Sequence, residues 1–237
     1  MGRVLPILFN TDMVRAILDG RKTVTRRCVK PQPPATAMVR EIKINSYGWS
    51  FWEAVGSWHM IRLPYQPGDI LYVRETWCRV GTDVDKMYFE HSGAMWDGMY
   101  LYRADGHDLS DIGNWHPSIH MPKIAARIWL KVTDVRVERL QDITEEQAAA
   151  EGVPDELSYP IAPIYCPTCK GEGQVGSLDS STLGYVPMDC PDCKTEIIRF
   201  ANLWNSTIKK ADHASYGWNA NPWVWVIEFV RCEKPDN

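Results

Sequence analysis

The chain reads as an α+β protein in which short helices stand at the margins of a small β-barrel, and long insertions interrupt the barrel. Three observations predict this. A capped amphipathic segment at 11–20 runs directly into a β-branched one. Strongly β-forming runs recur far apart, at 70–77, 124–140 and 222–232. Between them lie stretches rich in Pro, Gly and Trp with neither helical nor strand periodicity.

Taken in order, Thr11 or Asp12 is placed to cap a helix whose apolar positions Met13, Val14, Ile17 and Leu18 share a face, and Gly20 stops it. Thr23, Val24 and Thr25 then favour an extended segment. Residues 31–66, Pro-rich and then Trp-rich, read as an excursion with little regular structure. The turn Pro67-Gly68-Asp69 feeds ILYVRETW, with Leu71, Val73, Glu75 and Trp77 on one face and Ile70, Tyr72, Arg74 and Thr76 on the other. A second irregular stretch, 79–118, surrounds a short strand at Met99–Arg103. IAARIWLKVTDVRVERL predicts a long strand or bent strand pair with Ile128, Leu130 and Val132 on one face. Asp142 to Gly152 is the clearest helix, with Thr144 and Gln147 as a capping box. PWVWVIEFVRC, apolar on both faces, reads as a central barrel strand.

A length of 237 residues suits one domain over 1–237 with an insertion at 154–197. No apolar run approaches the roughly 18 residues a membrane span needs. MGRVLPILFN lacks the apolar core and cleavage site of a signal peptide. Together with the cysteine usage this predicts a cytoplasmic protein with no membrane partner.

Cys166, Cys169, Cys190 and Cys193 form C-x2-C-x20-C-x2-C, two tight turns of the kind that deliver four thiolates to tetrahedral zinc. The spacing predicts a structural Zn2+ site. The Gly- and Ser-rich segment between the pairs lacks a core of its own and depends on the metal to fold. Cys28, Cys78 and Cys232 read as buried or incidental thiols, and His116 and His120, split by Pro117, make a poor helical metal pair.

The run ILDGRKTVTRR carries the functional signal. Arg21, Lys22, Arg26 and Arg27, interleaved with Thr23 and Thr25, concentrate positive charge on a chain whose net charge is -4. Guanidinium groups and hydroxyls so placed suit a phosphate or a polarised carbonyl, and the alternative is a solvated basic turn. Arg74 and Glu75 either line the mouth of a ligand site or pair with each other, and Arg127 is placed similarly. Among the 11 Trp residues, one or two are candidates to stack on a flat ligand such as a nucleobase, and the others are packing residues.

Three blocks, ILDGRKTVTRR, the PGDILYV strand start, and TEEQAAAEG followed much later by VWVIEFVRC, resemble the ASCH domain, a PUA-like β-barrel family associated with RNA. The resemblance spans about half of the chain. Residues 31–66, 79–118 and 154–197 fall outside it and look like insertions of larger phage or prophage members. It implies a PUA-like fold and a nucleoside, modified base or RNA as partner. Small bacterial members that hydrolyse N4-acetylcytidine use a Lys, a Thr three residues later and a Glu at the end of the following helix. By motif these correspond to Lys22, Thr25 and Glu151, with Arg21, Thr23, Arg26, Arg27, Arg74 and Glu75 as substrate-binding candidates. The small enzymes lack the zinc insertion and the Trp-rich excursions.

Those implied roles fit the local chemistry. Lys22 beside other cations has reason to lose its proton and accept that of Thr25. Thr25 would then attack an acyl carbon, and Glu151 would orient Lys22 or donate to the departing amine. Two features need explanation. Side chains three apart on an extended segment face opposite ways, so Lys22 and Thr25 require a bend between them. Glu151 sits at a helix C-terminus, where the helix dipole prefers a cation. A non-catalytic RNA or modified-base binding module and a ribonuclease are the alternative functions.

Overall fold

A computed structural model describes residues 2–33, 63–80, 98–106, 114–153 and 195–235 in full, and the backbone of 38–44, 47–54 and 57–61. Within 154–194 it describes Cys166, Thr168, Cys169, residues 174–179, residues 184–190 and Asp192. The chain is α+β, and it groups into two compact units: residues 1–20, 64–135 and 227–237 in one, 21–63 and 136–226 in the other.

In the first unit, β1 (Val4–Leu8) pairs in parallel with β6 (Ile70–Arg74), Val4 opposite Ile70 and Leu8 opposite Arg74. On its other side β6 pairs antiparallel with the start of β9 (Trp129–Arg139), Leu71 opposite Leu130. The turn before β6 needs the left-handed conformation of Gly68, at φ 91°. It is locked by Asp69, whose carboxylate accepts from the Arg3 backbone at 3.0 Å and the Gln66 backbone at 2.8 Å. Leu71, Val73 and Glu75 are buried in alternation as expected. The phase then slips at Thr76, so that Cys78 is buried and Trp77 only half-buried. Here β7 (Trp77–Arg79) leaves the line of β6 and forms a separate ladder with β8 (Tyr100–Tyr102). The first helix, α1 (Thr11–Leu18), buries Val14, Ala16 and Ile17. Its cap is Asn10, whose side chain accepts from the Met13 backbone at 2.9 Å, rather than Thr11 or Asp12, because Asn10 is the last extended residue.

In the second unit, β2 (Val24–Cys28) starts two residues after Lys22, which itself makes only an isolated bridge to Glu151. The expected irregular excursion at 31–66 is corrected: β3 (Met38–Ile44), β4 (Tyr47–Ala54) and β5 (Ser57–Ile61) form a three-stranded antiparallel sheet. Its β-branched and aromatic residues outweigh the flanking prolines. Helix α2 (Glu145–Ala150) has the capping box predicted for Thr144 and Gln147, and Gly152 follows it at φ 74°. In the insertion, β10 (Gln174–Asp179) pairs antiparallel with β11 (Gly184–Asp189). Two further helices follow, α3 (Glu196–Thr207) and α4 (His213–Tyr216), and then β12 (Trp223–Cys232).

The strands form a five-stranded set in the order β1-β6-β9-β12-β2, which makes β12 an interior strand, as its two-sided apolarity predicts. Among the described residues no pairing closes this set into a barrel. No helix of the described residues is long and apolar enough to cross a membrane.

Candidate functional site

In the second unit the buried charged residues Lys22, Arg26 and Glu151 meet at the C-terminal end of α2. Glu151, the C-cap residue of that helix, is 3% exposed, and Lys22 is 2% exposed. Lys22 Nζ donates to Glu151 Oε2 at 2.8 Å, to the Glu151 carbonyl at 2.7 Å and to the Val24 carbonyl at 2.9 Å. This accounts for the carboxylate at the wrong end of a helix: Lys22 is the cation that the helix terminus requires, and Glu151 neutralises it. The Lys22 side chain also folds back onto the peptide of Val24, the first residue of β2.

Arg26 completes the network. Its NH1 donates to Glu151 Oε1 at 3.2 Å and its NH2 to Gln147 Oε1 at 2.8 Å. The guanidinium lies 5.9 Å from the ring centre of Phe200 on α3, and Glu138 Oε2 is 3.6 Å from NH2. The Arg26 side chain is fully buried, and its Nε has no hydrogen-bond partner among the described residues. Arg26 therefore belongs to an interior network, whereas Arg21 and Thr23 are exposed and Arg27 is half-buried. The basic run read as one cluster is thus split by strand geometry between interior and surface. Thr25 is buried on β2, and none of the bonds described for Lys22 and Arg26 involves its hydroxyl.

Burial pushes the Lys22 ammonium below the ordinary lysine range; Glu151 opposes this and Arg27 and Arg26 reinforce it. A lysine so placed can give up its proton and present a neutral amine within reach of Glu151.

Sequence reading missed Gln147, Glu138 and Phe200. Gln147 was legible only as a capping residue, and it performs both tasks: its Oε1 also accepts from the Thr144 backbone at 3.3 Å. Phe200 lies on α3, whose signal was present in Thr195 followed by Ile198, Ala201 and Trp204 at helical spacing.

Arg74 and Glu75, in the first unit, do not pair with each other. Arg74 Nε donates to the Met121 carbonyl at 2.8 Å, and its NH2 reaches the Ile119 carbonyl. Glu75, fully buried, takes two bonds from Arg127, from Nε and NH2 at 3.0 Å each, while Arg127 NH1 bonds Asp105 at 2.8 Å. Burial raises the Glu75 carboxyl above its ordinary range, and the Arg127 bonds counter this.

Cys166, Cys169 and Cys190 are buried with their sulfurs within 4.8 Å of one another, close enough to hold a metal ion. The Cys166 and Cys190 sulfurs are 3.7 Å apart. Tetrahedral thiolates at about 2.3 Å from zinc lie about 3.8 Å from each other, whereas a disulfide requires about 2.05 Å. The donor set therefore fits a tetrahedral thiolate site. Cys193, the fourth ligand expected from the spacing, lies outside the described residues. Ile198 of α3 and Val175 of β10 pack against the sulfurs.

Comparisons with protein-family models, with curated proteins and with solved structures found no match.

Proposed function

We propose that this chain is a PUA-like protein of the ASCH type that hydrolyses the amide of an N4-acylated cytosine nucleoside, using Lys22, Thr25 and Glu151. The observation that carries the reading is the buried contact between Lys22 and Glu151, two residues 129 positions apart that the motif resemblance had already selected. With Lys22 deprotonated, its Nζ takes the Thr25 hydroxyl proton as Thr25 Oγ bonds to the acyl carbon. The carbon–nitrogen bond then breaks, and Lys22 Nζ, held by Glu151, gives that proton to the leaving amine. Water next cleaves the threonine ester, Lys22 Nζ taking a proton from the water and passing it to Thr25 Oγ, which releases the acid and restores the hydroxyl. Arg26 holds Glu151 in place through Oε1. Structural zinc on Cys166, Cys169, Cys190 and Cys193 takes no part in the reaction.

The test is incubation of the purified chain with a panel of N4-acylated cytidines, free cytidine being followed chromatographically. Release by the wild type and none by Lys22→Met supports the reading; no release from any acyl group overturns it. A second reading, a cytoplasmic RNA or modified-base binding module, is favoured by the three acceptors around Lys22 Nζ, which satisfy a protonated ammonium completely. It predicts saturable nucleoside binding without turnover.

A further inference from the structure

Gln147 makes two connections with one oxygen. As the third residue of α2 it closes the capping box: its Oε1 accepts from the Thr144 backbone at 3.3 Å, while the Thr144 hydroxyl accepts from the Gln147 backbone at 3.3 Å. The same Oε1 accepts from Arg26 NH2 at 2.8 Å, which uses both of its lone pairs. Glu151 stands one helical turn later on the same face and takes the other end of that guanidinium, through NH1 at 3.2 Å. Two points on one helix thus fix the plane of the guanidinium. They thereby fix the carboxylate that meets Lys22 Nζ at 2.8 Å.

A glutamate would close the capping box equally well and would bind Arg26 more strongly. The amide differs from it in charge and hardly at all in shape. A carboxylate at 147 would repel Glu151 across the helical turn and would offset the charge that Arg26 brings to the network. Charges reach the pair from several elements. Arg26 has Glu151 and, at 3.6 Å, Glu138 of β9 as its anions. Lys22 has Glu151 as its anion, with Arg27 and Arg26 opposing. From α3 it is the uncharged Phe200 that meets Arg26, and Glu196 and Arg199 of that helix bond each other at 3.2 Å. Charges inside a buried network are weakly screened, so a neutral acceptor at 147 keeps the repulsion of Arg26 acting on the Lys22 ammonium.

We propose that Gln147 is a positioning residue of the Lys22–Glu151 site, a neutral acceptor that aims Arg26 at Glu151 without cancelling its charge. The proposal deepens the hydrolase reading and rests on it for the consequence in the reaction, whereas the consequence at Lys22 itself needs no turnover. A residue that only capped α2 could become Glu with nothing changed at Lys22.

Titration of Lys22 in the full chain tests it, followed by the Cε carbon resonance of isotope-labelled lysine and assigned by its loss in Lys22→Met. Gln147→Glu should keep α2 folded and raise the Lys22 midpoint by about one pH unit, the shift expected of one added charge at partial screening. Thr144→Ala removes the capping hydroxyl and leaves the bond from Arg26, so it should lower stability without moving the midpoint. In the hydrolysis assay the alkaline rise of the rate should move with the midpoint in Gln147→Glu and stay in place in Thr144→Ala. A midpoint unmoved in a folded Gln147→Glu protein, or moved equally in Thr144→Ala, overturns the proposal. Should Gln147→Glu not fold, Gln147→Ala decides: a Lys22 midpoint displaced there but not in Thr144→Ala supports positioning, and equal midpoints overturn it. Absence of turnover in the wild type would overturn the hydrolase reading alone, because the lysine titration is read without substrate.

Discussion

Each unit buries a carboxylate against cations, and the two clusters are built for different ends. Glu75 meets Arg127 through two parallel bonds of 3.0 Å, and the third edge of the same guanidinium goes to Asp105. Arginine keeps its proton at any pH a folded protein meets, so the cation of this cluster is fixed and holds strand end, turn and loop in one geometry. Glu151 also meets two cations, but one of them is a lysine. A buried lysine can give up its proton, and here burial already favours that. The choice of cation separates a fixed clamp from a pair able to move a proton.

Replacement of Lys22 by Met should produce the largest effect and the clearest separation. On the proposed reaction it removes the base, and hydrolysis should fall by about a thousandfold or more. Glu151 keeps its bond from Arg26, so the fold should survive; urea unfolding beside the rate assay checks both. Comparable loss of rate and of stability would make Lys22 a structural ion like Arg127.

Arg127→Met should do the reverse. It leaves Glu75 fully buried without its cation, a loss of about 3 kcal/mol by the usual cost of breaking a buried pair. Activity per folded molecule should be unchanged. Denaturant unfolding and an active-site titration separate the two quantities.

Legibility from sequence divided along the same line. The capping box at Thr144 and the paired cysteines are local patterns, and local geometry follows directly from them. Lys22 and Glu151 were found because the motif resemblance supplied a pairing that no local rule could. Arg26 was read with its basic neighbours as a substrate-binding residue; its place on β2 against α2 puts it in the interior network instead. Glu75 and Arg127 are 52 residues apart, and nothing near either one names the other. Asn10 was passed over as a cap because Thr11 is an equally good capping residue one position later. The sheet at 38–61 was lost to its flanking prolines.

The second unit's cluster leans on the cysteine module. Glu145, at the start of α2, accepts from the backbone of Glu196 at 2.7 Å and of Ile197 at 3.3 Å, placing its charge at the N-terminus of α3. The same helix sends Ile198 to the sulfurs and Phe200 to Arg26. Cys169→Ser should therefore abolish zinc content, loosen α3 and lower hydrolysis several-fold, or about 1 kcal/mol in transition-state terms. The Glu75–Arg127 clamp should stay intact. Metal analysis, amide exchange and the rate assay report on each in turn. Full zinc after Cys169→Ser would remove the thiolate site, and unaltered exchange in α3 would remove the coupling.

The smallest expected effect concerns pH, and it has opposite signs in the two units. The folded pKa of Lys22 is lowered, so between that value and the ordinary 10.5 the native state holds fewer protons than the unfolded one. Stability contributed by Lys22 therefore rises with pH across that window and is lost as pH falls through the folded value. Glu75 is raised above the ordinary 4.5, so its contribution is present below that value and fades as pH climbs through the folded one. Unfolding free energies measured from acid to alkaline pH should thus gain less on the alkaline side in Lys22→Met than in the wild type. Glu75→Gln should flatten the acid side alone. The hydrolysis rate should rise through the same alkaline window, because the amine that stabilises the fold by being neutral is the amine that accepts the Thr25 proton. A rate that rises at a pH where Lys22→Met leaves the stability curve unchanged would assign the base to another group, and the buried pair would then be a clamp in both units.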